Sequence, residues 1–261
     1  MTGYAAAAVR AGAAGLITTA AYQALIQSPC RNLLSRKNFA DRQVTLAEGP
    51  AVVAGLLVAG RLPGALALGT GAVGLLDDLA AGEAAAKKGL RGHLVALRRG
   101  QLTTGVVKIV AIGAAALAST AVADRGRRGA ADTVLGAVLV AGTANLLNLF
   151  DLRPGRALKV AVAGAAPLLL VADDGAAAIL GVATAGAPAD LAGRSMLGDT
   201  GANALGAVLG LAWARRLPLA GRAFGAIAVA ALILASERIS FTQVIASNPV
   251  LDAVDRWGRR G

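Results

Sequence analysis

The sequence is poor in aromatic residues, which make up 3% of its 261 positions. The belts of Trp and Tyr that mark the two faces of a bilayer are therefore nearly missing and give no depth assignment. A single cysteine, Cys30, excludes an intrachain disulfide, and a single histidine, His93, leaves no Cys/His set with zinc spacing. Apolar/polar alternation of period two is absent, which removes the transmembrane β-barrel and leaves helices. The first apolar stretch has no basic leader and is long for a cleaved signal, so it is read as a retained span.

Apolar residues dominate what is present, at 56% of the chain, with Ala and Gly in great excess. They fall into about nine blocks, several shorter than the roughly 20 residues that a perpendicular helix needs to cross hydrocarbon. The expected fold is all-α: a polytopic membrane helix bundle over residues 1–236, with about nine transmembrane helices approaching closely through small residues. Residues 237–261 are expected to form a cytoplasmic amphipathic tail. There Val250, Leu251, Val254 and Trp257 recur at helical spacing beside Arg256, Arg259 and Arg260, a pattern suited to the headgroup boundary.

The formal net charge is +11. The basic residues lie in the connections between apolar blocks, as in cytoplasmic membrane loops, so nucleic acid is not an expected partner. With the N-terminus outside and spans alternating, the connections near 28–48, 77–105, 151–159 and 191–200 and the tail after 236 fall on the cytoplasmic side. These hold most of the 26 Lys and Arg residues, although Arg125, Arg127, Arg128, Arg215, Arg216 and Arg222 lie on the other side.

This alternation also places three polar clusters on one face: LLDD at 75–78, NLLNLFD at 145–151 and LGDTGAN at 197–203. Asp77 and Asp78 point about 100° apart on a helix, so they cannot both aim at one point, yet their repulsion is relieved by a cation or a proton. Asn145, Asn148 and Asp151, at i, i+3 and i+6, form a stripe of hard oxygen ligands suited to Mg2+ beside substrate phosphates, or else bond neighbouring helices. Asp199, between glycines at a helix start, reads as an N-cap or as a group near a phosphate or metal. Lys87, Lys88, Arg91, Arg98 and Arg99 follow the aspartate pair and suit a pyrophosphate or the anionic leaflet. His93 reads as a solvated loop residue.

Aspartates after a span, then NxxNxxD, then GDTG before another span, in that order, resemble the polyprenyl-phosphate N-acetylhexosamine-1-phosphate transferases. This is the family of the phospho-N-acetylmuramoyl-pentapeptide transferase. The resemblance covers residues 30 to 210 approximately. It implies an integral enzyme of the bacterial cytoplasmic (inner) membrane, multi-pass, that moves a sugar-1-phosphate from a UDP-sugar to polyprenyl phosphate. UMP is released, Mg2+ is the cofactor, and the product serves cell-envelope polymer synthesis. By motif, Asp77, Asp78 and Asp199 are implied as catalytic and Asp78, Asp151 and Asp199 as metal ligands. Asn145, Asn148, Arg153, Arg156, Lys87 and Arg91 are expected to bind substrate.

The chain departs from the family in three ways. Pro154 stands where a second aspartate follows NxxNxxD, with Arg153 and Arg156 beside it. Ala202 follows Gly201 where the family has serine close by, and the later histidine-bearing loop is missing. Charge compensation by Arg153 or Arg156 would preserve the chemistry. Otherwise the chain is a non-catalytic membrane protein that binds polyprenyl phosphate or a nucleotide sugar on the same fold. A transporter is disfavoured because its polar groups would sit near midplane rather than at one face. Membrane lipids are the expected surroundings, and a homodimer is left open.

Overall fold

The computed structural model describes residues 3–38, 41–80 and 103–259. The expectations for Lys87, Lys88, Arg91, His93, Arg98 and Arg99 fall outside the described residues. Each of the nine apolar blocks lies on a helix: α1 (Gly3–Gln27), α2 (Glu48–Leu56), α3 (Arg61–Ala80), α4 (Thr104–Asp124), α5 (Ala130–Phe150), α6 (Arg156–Leu169), α7 (Asp174–Asp190), α8 (Gly198–Arg216) and α9 (Leu219–Ser236). The tail adds α10 (Phe241–Ser247) and α11 (Pro249–Arg256). Between α1 and α2 lies a small antiparallel hairpin, β1 (Ser35–Lys37) with β2 (Gln43–Thr45), in which Arg36 pairs with Val44.

The fold class is all-α. Among the described residues three helices, α4, α5 and α9, are long and apolar enough to cross a membrane. Of the remaining helices, α2 has 9 residues, α6 has 14 and α7 has 17. Charges dilute the ends of α3, with Arg61, Asp77 and Asp78, and of α8, with Asp199, Arg215 and Arg216. The outward faces of α4 and α9 are strongly apolar. Val110 is 65% exposed and Phe224 76%, an arrangement that water would penalise and hydrocarbon would not.

The centre of the bundle is α8, buried along nearly its whole length and packed against α2, α3 and α5. Small residues make that possible. A Cβ on Gly206 would lie 2.5 Å from the Thr143 carbonyl oxygen, and one on Gly74 would lie 2.3 Å from that of Asp199. Backbones touch at both crossings, as the Ala- and Gly-rich composition leads one to expect. At the end of the bundle opposite Asp199, the buried Arg222 binds both carboxylate oxygens of Asp124, at 2.6 and 2.7 Å. Arg128 pairs with Asp132 and Arg216 with Asp173 at the same end. Three of the arginines that run against the positive-inside pattern are thus tied into ion pairs.

The glycine crossings lead to a paired expectation. Gly74→Ala should cost about 2 kcal/mol or more through overpacking. Gly113→Ala, with nothing within 4 Å of the added methyl, should leave stability unchanged or raise it by up to about 1 kcal/mol. Unfolding of the two variants in one detergent checks this, and equal stability would contradict the close approach.

Candidate functional site

The first turn of α8 begins without a side-chain cap of its own, since Leu197 at the cap position offers none. Gly198, at φ +61°, turns the chain into the helix in a left-handed conformation that glycine adopts without strain. Amides left without partners at a helix start must be satisfied from elsewhere. The Gly198 N–H donates to Asp151 Oδ2 at 2.8 Å. The Asp199 N–H donates to Asp78 Oδ1 at 3.0 Å and the Thr200 N–H to Asp78 Oδ2 at 2.9 Å, with the Thr200 hydroxyl adding a bond of 2.6 Å to the same oxygen. Two aspartates from α3 and the end of α5 therefore cap α8 across the bundle. Negative charge at this end also suits the helix dipole.

Asp77 points elsewhere, as the helical offset between neighbours requires. Its Oδ2 lies 2.8 Å from Lys108 Nζ on α4, and the same ammonium lies 2.8 Å from Asp199 Oδ2. Side-chain exposures of 19% for Asp77, 16% for Lys108 and 21% for Asp199 make this trio the accessible edge, while Asp78 and Asp151 are buried. Arg36 of β1 donates to the Asp78 main-chain carbonyl at 2.6 Å and so fastens the hairpin to the C-terminal end of α3.

The structure thus brings together Asp77, Asp78, Asp151 and Asp199. Asn145 and Asn148 are half-buried on the last turns of α5, and Asp151 sits just past its end. Arg156 faces the tail instead. Its Nε and Nη2 bind the two Asp255 oxygens at 2.8 Å each, and Nη1 donates to the Thr242 hydroxyl at 3.0 Å. Buried in this way, its guanidinium is committed to the tail rather than offered to a ligand. Arg259 donates to the Pro154 carbonyl at 2.9 Å, so Pro154 is also part of the tail's seat. Arg153 is half-buried in that stretch.

Lys108 belongs to none of the three polar clusters and was not singled out from the sequence, although a lone cation in an apolar helix is itself a sign of function. Sequence reasoning also missed Glu48 and Asp190, both buried, whose Oε1 and Oδ2 have no hydrogen-bond partner among the described residues. Nothing local marks these two acids, because their burial comes from distant helices.

The donor set can be compared with Mg2+. Among the described residues no group of three or more His, Cys, Asp or Glu side chains is arranged to hold a metal ion. Asp78 and Asp151 spend their oxygens on backbone amides, and Lys108 already bridges Asp77 and Asp199. As arranged, these residues do not fit a resident ion. Compared with known proteins, the chain matches no family model and no curated protein.

Asp78→Ala should remove three charge-assisted hydrogen bonds and cost about 3 kcal/mol or more, whereas Asp77→Ala at the open edge should cost about 1 kcal/mol. Denaturant unfolding in detergent measures both, and equal losses would contradict the division between capping and edge. The tail gives a pH expectation. Burial alone would raise the Asp255 carboxyl, but Arg156 and Arg259 outweigh it and hold it below the usual carboxylate range. Its contribution to tail docking is then complete above the unfolded-state value and is lost as pH falls through the lowered folded one. Proteolysis after residue 236 should accelerate only below about pH 4, and Asp255→Asn should be cleaved rapidly at every pH.

Proposed function

We propose that the chain is an integral membrane phospho-sugar transferase that moves a sugar-1-phosphate from a UDP-sugar to polyprenyl phosphate for cell-envelope polymer synthesis. The observation that carries this reading is the meeting of Asp77, Lys108 and Asp199 at one accessible edge, braced by Asp78 and Asp151. An acceptor phosphate oxygen would form a P–O bond to the sugar-bearing phosphorus as the P–O bond to UMP breaks. Lys108 supplies a cation at that edge for the donor's diphosphate, and such positioning with charge stabilisation is most of what phosphoryl transfer asks of a protein. Asp77 and Asp199 hold the ammonium in place. Mg2+ belongs to this reading only as an ion that arrives with the diphosphate, and no step is assigned to it.

The same reading places the protein in a bacterial inner membrane as a multi-pass chain with nine crossings, N-terminus outside and tail cytoplasmic. Cys30, exposed near the site end, is the natural probe of this topology. In intact cells it should resist a membrane-impermeant thiol reagent, while Gly126→Cys in a Cys30→Ser background should be labelled. Rapid labelling of Cys30 would reverse the orientation.

A second reading is a non-catalytic binder of polyprenyl phosphate or a nucleotide sugar. It is favoured by the commitment of Asp78 and Asp151 to backbone amides and of Arg156 to Asp255. One assay separates the two. Purified protein with Mg2+, polyprenyl phosphate and a panel of UDP-sugars should release UMP, and Asp199→Asn should lower the rate at least about 100-fold. Pro154→Asp should not be required. Binding of polyprenyl phosphate without UMP from any donor would establish the binder instead.

A further inference from the structure

Between α1 and α7, an open cavity of about 770 Å3 reaches Glu48 at the start of α2. Its lining runs along α1 from Ala11 to Gln23, about 18 Å at the helical rise of 1.5 Å per residue. The first half of that length, from Ala11 to Leu16, is Ala, Gly and Leu, which suits a hydrocarbon chain rather than a sugar or a nucleotide. The character changes at one end, where Tyr22, Glu48 and Arg194 line the wall.

Glu48 is the unusual group. It is 1% exposed, its Oε2 accepts a hydrogen bond from the Ser195 hydroxyl, and its Oε1 has no partner among the described residues. A carboxylate oxygen left dry and unpaired is costly, so a donor brought by a ligand would find a strong acceptor there. The carboxylate packs directly on Gly186, where an added methyl would lie 2.8 Å from Oε1, so only glycine admits Glu48 at this point of the wall. Arg194, directly before the Ser195 that holds Glu48, lines the same end of the cavity, so a cation and a carboxylate both occur at the polar end.

We propose that this groove binds a membrane phospholipid with a primary amine in its headgroup, of the phosphatidylethanolamine type. The ammonium meets Glu48 Oε1, the phosphate meets Arg194, and an acyl chain lies along Ala11, Gly15 and Leu180. The pair of opposite charges matches a zwitterion and disfavours a purely anionic headgroup. A trimethylated ammonium has no N–H to give Glu48. This site shares no residue with the aspartate cluster, and its test reads lipid retention rather than UMP release, so its failure and that of the transferase reading are distinguishable.

The test is native mass spectrometry of the purified full chain with equal amounts of phosphatidylethanolamine, phosphatidylcholine and phosphatidylglycerol. Phosphatidylethanolamine should be retained preferentially. Glu48→Gln keeps an acceptor for Ser195 but loses the charge, and should weaken that retention about tenfold, the order of one charge-assisted hydrogen bond. Gly12→Phe should abolish it by filling the groove. Gly12 lines the cavity and has nothing within 4 Å of an added Cβ, so that variant is expected to fold, as unchanged helical content would verify. Equal retention of the three lipids overturns the proposal. So does undiminished binding of phosphatidylethanolamine by either folded variant.

Discussion

Helix α8 starts in the interior of the protein with no cap of its own, and the rest of the site follows from that constraint. Three consecutive amides, of Gly198, Asp199 and Thr200, need acceptors where water does not reach. Asp78 and Asp151 provide them, and in doing so they fix where α3 and the end of α5 stand relative to α8. The glycine crossings at Gly74 and Gly206 are the geometric counterpart, because carboxylates this short reach the amides only when the backbones nearly touch. Asp77 and Asp199 are then carried to the outer edge, where Lys108 answers their charge.

The division of labour among the acids is set by burial. Inside, carboxylates are matched to backbone N–H groups that cannot move away. At the edge they are matched to a flexible ammonium, which a ligand with stronger charge can draw off. The distinction separates groups that hold the structure from groups with freedom to act, and residue type alone does not reveal it.

That is also where sequence reading stopped. The helical class and the position of each apolar block were legible, because composition and block spacing report them directly. Asp77, Asp78, Asp151 and Asp199 were legible as a set because they share one end of the helices that carry them. The ion pair of Arg156 was not legible because its partner, Asp255, lies 99 residues away. Glu48, Arg36 and Asp190 carry no local mark, and their importance appears only when distant segments meet. The number of membrane crossings was less legible for a related reason. An Ala-rich block in the protein core reads much like a short block facing lipid, and only burial tells α8 from α4.

Asp78 and Thr200 are 122 residues apart in the chain. During synthesis the aspartates at the ends of α3 and α5 are therefore made well before the amides that they will cap exist. Until α8 emerges, those carboxylates must stay hydrated or protonated at the surface, which keeps the ends of α3 and α5 out of their final seats. Docking of α8 is consequently the event that locks the bundle, and a ribosome stalled before residue 200 would leave the aspartates of α3 and α5 without the amides that draw them together.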